Sequence, residues 1–366
     1  MSNLGNLGNV LIRSDLNVPI KNGVITDNFR IIKSAEIVEK IFKKSKTITF
    51  TSHMGRPEGK DLNLSLRPVA KSMEDILGKK VHFIDEVYGE KVEKQIEKSE
   101  FKIFLLENLR FEKGEIGNDH NFSKQITKPF NSYIFDAFGA AHREHASVVS
   151  FGENLDSFQG PLMNKEIYEL DKLLNNSESG YAVLLGGAKI SDKLNLIEKL
   201  LPKVEYLMFG GGMCFTLLKA LGHEIGRSLL EESFISKAEE LLNSEFGNKI
   251  ILPTDFGVSY SINSAVRENI KLEDFKNNHI GLDIGPQTIS NFRKILDKSK
   301  NIFWNGPMGI FEKKEFSYGT REITNIISSS SAYTCIGGGD SVSAINKYSD
   351  TKYFNHISTG GGASLE

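Results

Sequence analysis

Short runs of β-branched and aliphatic residues recur along the chain, separated by stretches whose apolar positions fall three and four residues apart. That alternation is the pattern of a parallel sheet covered by helices. Strands are predicted at 10–13, 47–51, 81–84, 102–106 and 133–135 in the first half, and at 182–185, 205–209, 249–252, 301–304, 332–336 and 353–357 in the second. Amphipathic helices are predicted over 31–44 and 66–77. Between the halves, Met163, Ile167, Leu170 and Leu174 repeat at helical spacing behind Pro161, which predicts a connecting helix over 162–175. The competing reading makes this a surface helix of one large domain. The fold class expected is α/β: two doubly wound parallel-sheet domains, 1–161 and 176–354, joined by the helix and a hinge.

In the first half the unusual polar residues fall directly after predicted strands. Arg13-Ser14-Asp15-Leu16-Asn17 follows the first, Ser52-His53-Met54-Gly55-Arg56-Pro57 the second, Glu107-Asn108-Leu109-Arg110 the fourth and Asp136 to Arg143 the fifth. A parallel sheet brings such loops to one carboxyl edge, where doubly wound folds bind ligands. Arg13, Arg56, Arg110 and Arg143 would then converge with His53 and His142. Clustered guanidinium groups repel one another unless an anion neutralises them, and their forks suit phosphate and carboxylate oxygens. The ligand implied is small and multiply anionic. Taken singly, each arginine reads better as half of a surface ion pair; the four at one edge do not.

The second half places glycine where the first places arginine: Gly186-Gly187-Ala188-Lys189, Gly210-Gly211-Gly212, Trp304-Asn305-Gly306-Pro307, Gly337-Gly338-Gly339-Asp340 and Thr359-Gly360-Gly361-Gly362. Glycine lets backbone approach a ligand, and a strand-to-helix turn offers amide donors and a helix N-terminus to a phosphate chain. A nucleotide fits this edge. Lys189 and Lys193, four apart, are expected on one helix face toward its phosphates, and Asp340 is placed to hold Mg²⁺. Each Gly-Gly pair alone reads as tight packing.

Composition and missing motifs narrow the field. The 366 residues carry 45 basic and 47 acidic side chains, a net charge of −2, so nothing draws the whole chain to nucleic acid or an anionic membrane. Cys214 and Cys335 stand alone in apolar or glycine-rich stretches and read as buried free thiols of a reducing cytoplasm. Residues 1–10 lack the basic-then-apolar pattern of a secretory signal, and the apolar stretch 206–218 is too short and too glycine-broken to span a bilayer. Phe215 and Val342 occupy the third glycine position of a dinucleotide-binding turn, which counts against a dehydrogenase. Met54 and Met73 stand five residues before the two Gly-Lys pairs, which excludes a P-loop. His142 and His145 have no third metal ligand nearby.

Taken together in this order, the loops at 13–19, 52–57, 136–143, 186–193, 304–309 and 337–340 closely resemble the phosphoglycerate kinase family over nearly the whole chain. Met54 and Ser341 replace a leucine and a threonine with little change of size or function. The resemblance implies that 3-phosphoglycerate or 1,3-bisphosphoglycerate binds through Asp15, Asn17, Arg30, His53, Arg56, Arg110 and Arg143, with Leu16, Met54 and Gly55 in the same loops. It implies that ATP or ADP sits among Gly187, Lys193, Gly281, Asn305, Glu312, Gly338, Gly339, Asp340 and Ser341, with Asp340 on Mg²⁺. Arg30 and Lys189 are expected to stabilise charge on the transferring group, aided by backbone donors at Gly338 and Gly361. The family pattern continues past the glycine run, so 355–366 reads as a shortened return toward the N-terminal domain. A cytoplasmic monomer with hinge closure is the family expectation. The readings kept beside it are a nucleotide-dependent binding module without turnover and a dehydrogenase of similar plan.

Overall fold

The computed structural model describes residues 5–21, 23–98, 100–174 and 180–360. The chain divides between Tyr168 and Glu169 into two compact units. The division falls inside the predicted connecting helix, which runs Pro161–Leu174. Within it Met163 is buried but Ile167 is 42% exposed, so the buried stripe passes through Glu166 instead of Ile167. The expected repeat of apolar residues is therefore broken in the middle.

In the first unit a six-stranded, all-parallel sheet is ordered Val81–Ile84, Ile103–Leu106, Ser45–Thr51, Gly8–Ser14, Ser132–Asp136, Asp156–Gln159. The strand Gly8–Ser14 is buried from Asn9 onward, as its unbroken Val-Leu-Ile run requires at the centre of a sheet covered on both faces. One apolar layer, including Val10, Ile12, Phe50 and Leu105, packs against the helices Phe29–Ile41 and Arg67–Leu77. The other, including Leu11, Phe104, Leu106 and Phe151, lies on the opposite face. The edge strand Asp156–Gln159 is mostly exposed and polar, which is why its sequence carries no strand signal. Connections leave the strand Gly8–Ser14 toward one side and the strand Ser132–Asp136 toward the other, so the crevice between them is the switch point of the sheet.

In the second unit the parallel sheet is ordered Ile250–Ile251, Tyr206–Phe209, Tyr181–Leu185, Asn301–Asn305, Tyr333–Gly337, His356–Ile357. Its switch point lies between Tyr181–Leu185 and Asn301–Asn305. The predicted strand at 353–357 shrinks to His356–Ile357, because Thr351–Tyr353 forms a tight 3₁₀ turn capped by Asp350. A separate antiparallel sheet of Asp255–Ser259, Glu268–Lys271 and Ile280–Ile284 is not predicted by the sequence. Its middle strand pairs a glycine with buried polar ends, and its exposed strand is charged. No helix among the described residues is long and apolar enough to cross a membrane.

Candidate active site

The carboxyl edge of the first sheet collects its charge from loops that follow neighbouring strands. Arg30, from the start of the helix Phe29–Ile41, donates through Nη1 to the Asn17 carbonyl at 3.0 Å and lies 3.2 Å from Asp15 Oδ2. The Gly55 backbone N–H donates to Asn17 Oδ1 at 3.1 Å, tying the first loop to the second. Arg110 Nη1 donates to the Gly55 carbonyl at 2.5 Å. Behind them the buried Asn108 accepts from the N–H groups of Met54 and Arg110 and donates to the carbonyls of Met54 and Leu64. One amide thus sets the course of two loops.

The expected side chains do not all face this edge. Leu16 and Met54 are buried in the apolar core, and the Leu16 N–H is taken by Ser52 Oγ. These two hold the loops in place. Arg13, expected to converge with three other arginines, is 1% exposed and spends its donors on Ser147, Ser14, Ser52 and His53. Arg30, by contrast, lies at this edge against Asp15 and Asn17. Nothing in the strand pattern points to Arg30, because it opens a helix and follows no strand.

What remains at this edge is strongly cationic. Arg110 keeps Nε and Nη2 buried without a partner, and Arg143 keeps Nε so. Burial first, then the charges of Arg143, Arg13 and Arg56, push the Arg110 guanidinium down to about 10, against a smaller opposing pull from Glu115. Burial and the charges of Arg13, Arg110, Arg143 and Arg30 together hold the His53 imidazole well below its ordinary value. Arg56 is exposed. Buried donors of one sign with no acceptor are costly unless a ligand supplies the acceptor. The arrangement suits an anion bearing several oxygens.

The second unit builds its site where its two switch-point strands end. The Gly186 and Gly187 N–H groups donate to the carbonyls of Asn305 and Pro307, each at 2.9 Å. The two loops touch so closely that a Cβ on Gly186 would stand 2.1 Å from the Pro307 carbonyl oxygen. Lys193 lies under this junction, its Nζ donating to the Gly186 and Asn305 carbonyls at 2.7 Å each. Burial pushes its ammonium down to about 7, although Asp340 and Asp192 pull the other way. Lys189 is exposed and precedes the 3₁₀ turn Ser191–Lys193. The two lysines therefore do not share a helix face as their spacing predicts.

Gly338, at φ 86°, turns the chain into the helix Gly339–Tyr348, whose first residues Gly339 and Asp340 are exposed. Ser341 is buried and its Oγ accepts from the Gly306 N–H at 2.6 Å, so it braces the neighbouring loop. Asn305 keeps Nδ2 buried without a partner. A cleft of about 480 Å³ opens among Gly187, Gly211, Gly281, Pro307, Glu312 and Asp340. Leu229, Ile262, Leu282 and Ile310 give it apolar walls that the sequence did not reveal. Arg227 donates to the Tyr260 carbonyl at 2.5 Å and Lys313 to the Ile262 carbonyl, fixing the loop beside the cleft. A flat ring against apolar walls and a phosphate chain at glycine amides, a buried amine and a helix N-terminus together describe a nucleotide. Gly361 lies outside the described residues.

Residues 6–366 match the model of the family described as phosphoglycerate kinase. A phosphoglycerate kinase of Dictyoglomus turgidum is 44% identical over 362 residues, covering 98% of this chain and 91% of its own length. Among solved structures, phosphoglycerate kinase from Pyrococcus horikoshii OT3 aligns with a TM-score of 0.88 at 31% identity, over 99% of this chain and 93% of that one. The Coxiella burnetii phosphoglycerate kinase aligns at 0.83 and 34% identity, over 100% and 94%. The chain belongs to the phosphoglycerate kinase family.

Proposed function

We propose that this protein transfers a phosphoryl group reversibly between 1,3-bisphosphoglycerate and ADP, giving 3-phosphoglycerate and ATP. The observation that carries the reading is the set of buried, unpartnered guanidinium nitrogens of Arg110 and Arg143 at one switch-point edge. They call for an acceptor that a phosphorylated carboxylic acid supplies. The first unit is the acid-binding domain, through Asp15, Asn17, Arg30, His53, Arg56, Arg110 and Arg143. The second is the nucleotide-binding domain, through the cleft with Gly281 and Glu312 and the turns at Gly187, Asn305 and Gly338.

A carboxylate is ionised at neutral pH, so as acceptor it needs no general base. Positioning and charge stabilisation remain, since phosphoryl transfer spreads negative charge over three equatorial oxygens. Arg30 and Lys189 meet that charge from the two substrates' sides, with backbone donors at Gly338 and at the glycine run containing Gly361. In-line transfer requires reacting atoms within ~3–3.5 Å, so the reading includes hinge closure, which also keeps water from the acyl phosphate. Asp340, exposed at the cleft, is one carboxylate, and no group of three metal-ligating side chains occurs among the described residues. That fits Mg²⁺ carried on nucleotide phosphates, where it neutralises their charge. The setting we infer is a cytoplasmic monomer acting on free small molecules.

The test is ATP formation from ADP and 1,3-bisphosphoglycerate by the full chain, with Arg30→Ala and Lys189→Ala as comparisons. Turnover is expected, with losses of roughly a hundredfold or more in each variant. Nucleotide binding without turnover would overturn the reading.

A further inference from the structure

Arg13 is the penultimate residue of a central strand, and each of its three guanidinium nitrogens has a partner inside the protein. Its Nε donates to Ser147 Oγ at 2.9 Å, its Nη1 to the Ser14 carbonyl at 2.5 Å, and its Nη2 faces His53 Nδ1 at 3.0 Å. Ser147 stands between this cation and a fully buried carboxylate. Its Oγ donates to Glu115 Oε1 at 2.7 Å and its N–H to Oε2 at 3.0 Å, while Tyr133 donates its hydroxyl to the Ser147 carbonyl. Burial works to raise the Glu115 carboxyl, but His145, Arg13 and Ser147 outweigh it and leave the group below the usual range. Glu115 is therefore an anion, and the single hydroxyl proton of Ser147 points at it. The lone pair of that hydroxyl is left for Arg13.

A guanidinium offers donors only and keeps its protons in proteins. The ring nitrogen 3.0 Å from Nη2 must then present a lone pair. We propose that the buried series Glu115, Ser147, Arg13 fixes His53 as the neutral tautomer protonated on Nε2, so that His53 gives the anion site a neutral hydrogen-bond donor while arginines alone supply its charge. The charges acting most strongly on His53 are those of Arg13, Arg110, Arg143 and Arg30, all cations that oppose a second proton. Arg13, Ser147 and Glu115 are positioning residues in this scheme. Only the identity of the oxygen that Nε2–H meets rests on the function proposed above; the tautomer is a property of the free protein.

The experiment is long-range proton–nitrogen correlation NMR of the substrate-free full chain with labelled histidines, the His53 signals assigned by their loss in His53→Gln. One species is expected, with Nδ1 unprotonated and Nε2 protonated, unchanged across the range where free histidine titrates. Ser147→Ala is expected to give exchange between tautomers and a titration closer to the ordinary range, and Ser147→Thr to restore the single species. An imidazolium or an Nδ1-protonated ring in the parent chain overturns the proposal. An unchanged spectrum in Ser147→Ala removes the series from it. Should Ser147→Ala fail to fold, the parent and Ser147→Thr spectra still decide. Loss of turnover alone changes none of these readouts, so failure here and failure of the kinase reading are separable.

Discussion

Lys193 buries a primary amine, held by the Gly186 and Asn305 carbonyls where two glycine loops meet. Its pKa, lowered to about 7 by burial, lies below that of the unfolded chain, so unfolding takes up a proton between about pH 7 and the ordinary lysine value. Stability contributed by this group therefore rises with pH across that window. Nucleotide binding should run the other way, because phosphates favour the ammonium. Above pH 7 affinity for ADP is expected to fall, approaching about tenfold per pH unit, with proton uptake on binding visible by calorimetry in buffers of different ionisation enthalpy. Lys193→Met should bind weakly with no such slope; a slope that persists would assign it elsewhere. The residues at this scale differ in how far the sequence exposes them. Arg110 and Arg143 are legible, since a cation placed after an apolar strand in a parallel sheet has few other places to go. Arg30 and Glu312 are not, because neither follows a strand, and only the family resemblance pointed to them. Arg13 follows the same rule as Arg110 and is nonetheless consumed by internal partners, Ser52, His53 and the distant Ser147 among them.

The helix Pro161–Leu174 is fastened within each unit by its own contacts. Asp136 Oδ1 accepts from the Leu162 and Met163 N–H groups at 2.7 and 3.0 Å, while Tyr333 donates its hydroxyl to Glu169 and Lys172 stands 3.7 Å over the Tyr333 ring. Asp136 Oδ2 is buried without a partner, and burial raises the carboxyl to about 6 despite the two N–H donors. Because the folded value exceeds the unfolded one, folding takes up a proton, and stability falls as pH rises from about 4 to 6, by roughly 3 kcal/mol in all. Asp136→Asn keeps an acceptor for the helix and should erase that slope in denaturant titrations; Asp136→Ala should cost about 1–2 kcal/mol through loss of the cap. An Asp136→Asn curve with the parent's slope would contradict the assignment. The helix itself is legible from Pro161 and its spacing. The antiparallel sheet 255–284 is not, since Asp255–Ser259 is buried throughout without alternation and Glu268–Lys271 is charged, so neither carries the period-two signal.

Each unit carries one parallel sheet whose strand order reverses beside its first strand, and the loops proposed to bind its ligand cluster about that point. Hydrogen exchange on the full chain should therefore separate the two ligands. ADP is expected to protect 186–193, 210–212, 306–312 and 338–341, and 3-phosphoglycerate 13–17, 53–56 and 108–110. Protection of the first unit by ADP alone would reverse the assignment of roles. The doubling of the fold was legible because both halves repeat the same alternation of runs, whereas the order of strands was not, since pairing partners leave no mark on local periodicity. That order has a consequence for the chain as it is made. In both sheets the first strand gains one neighbour early, from Ser45–Thr51 or Tyr206–Phe209, and the other only in the later part of its unit, from Ser132–Asp136 or Asn301–Asn305. A nascent chain emerging from the ribosome thus holds half of each sheet until the later part of that unit is made, so a ligand can engage a crevice only once that part has been translated.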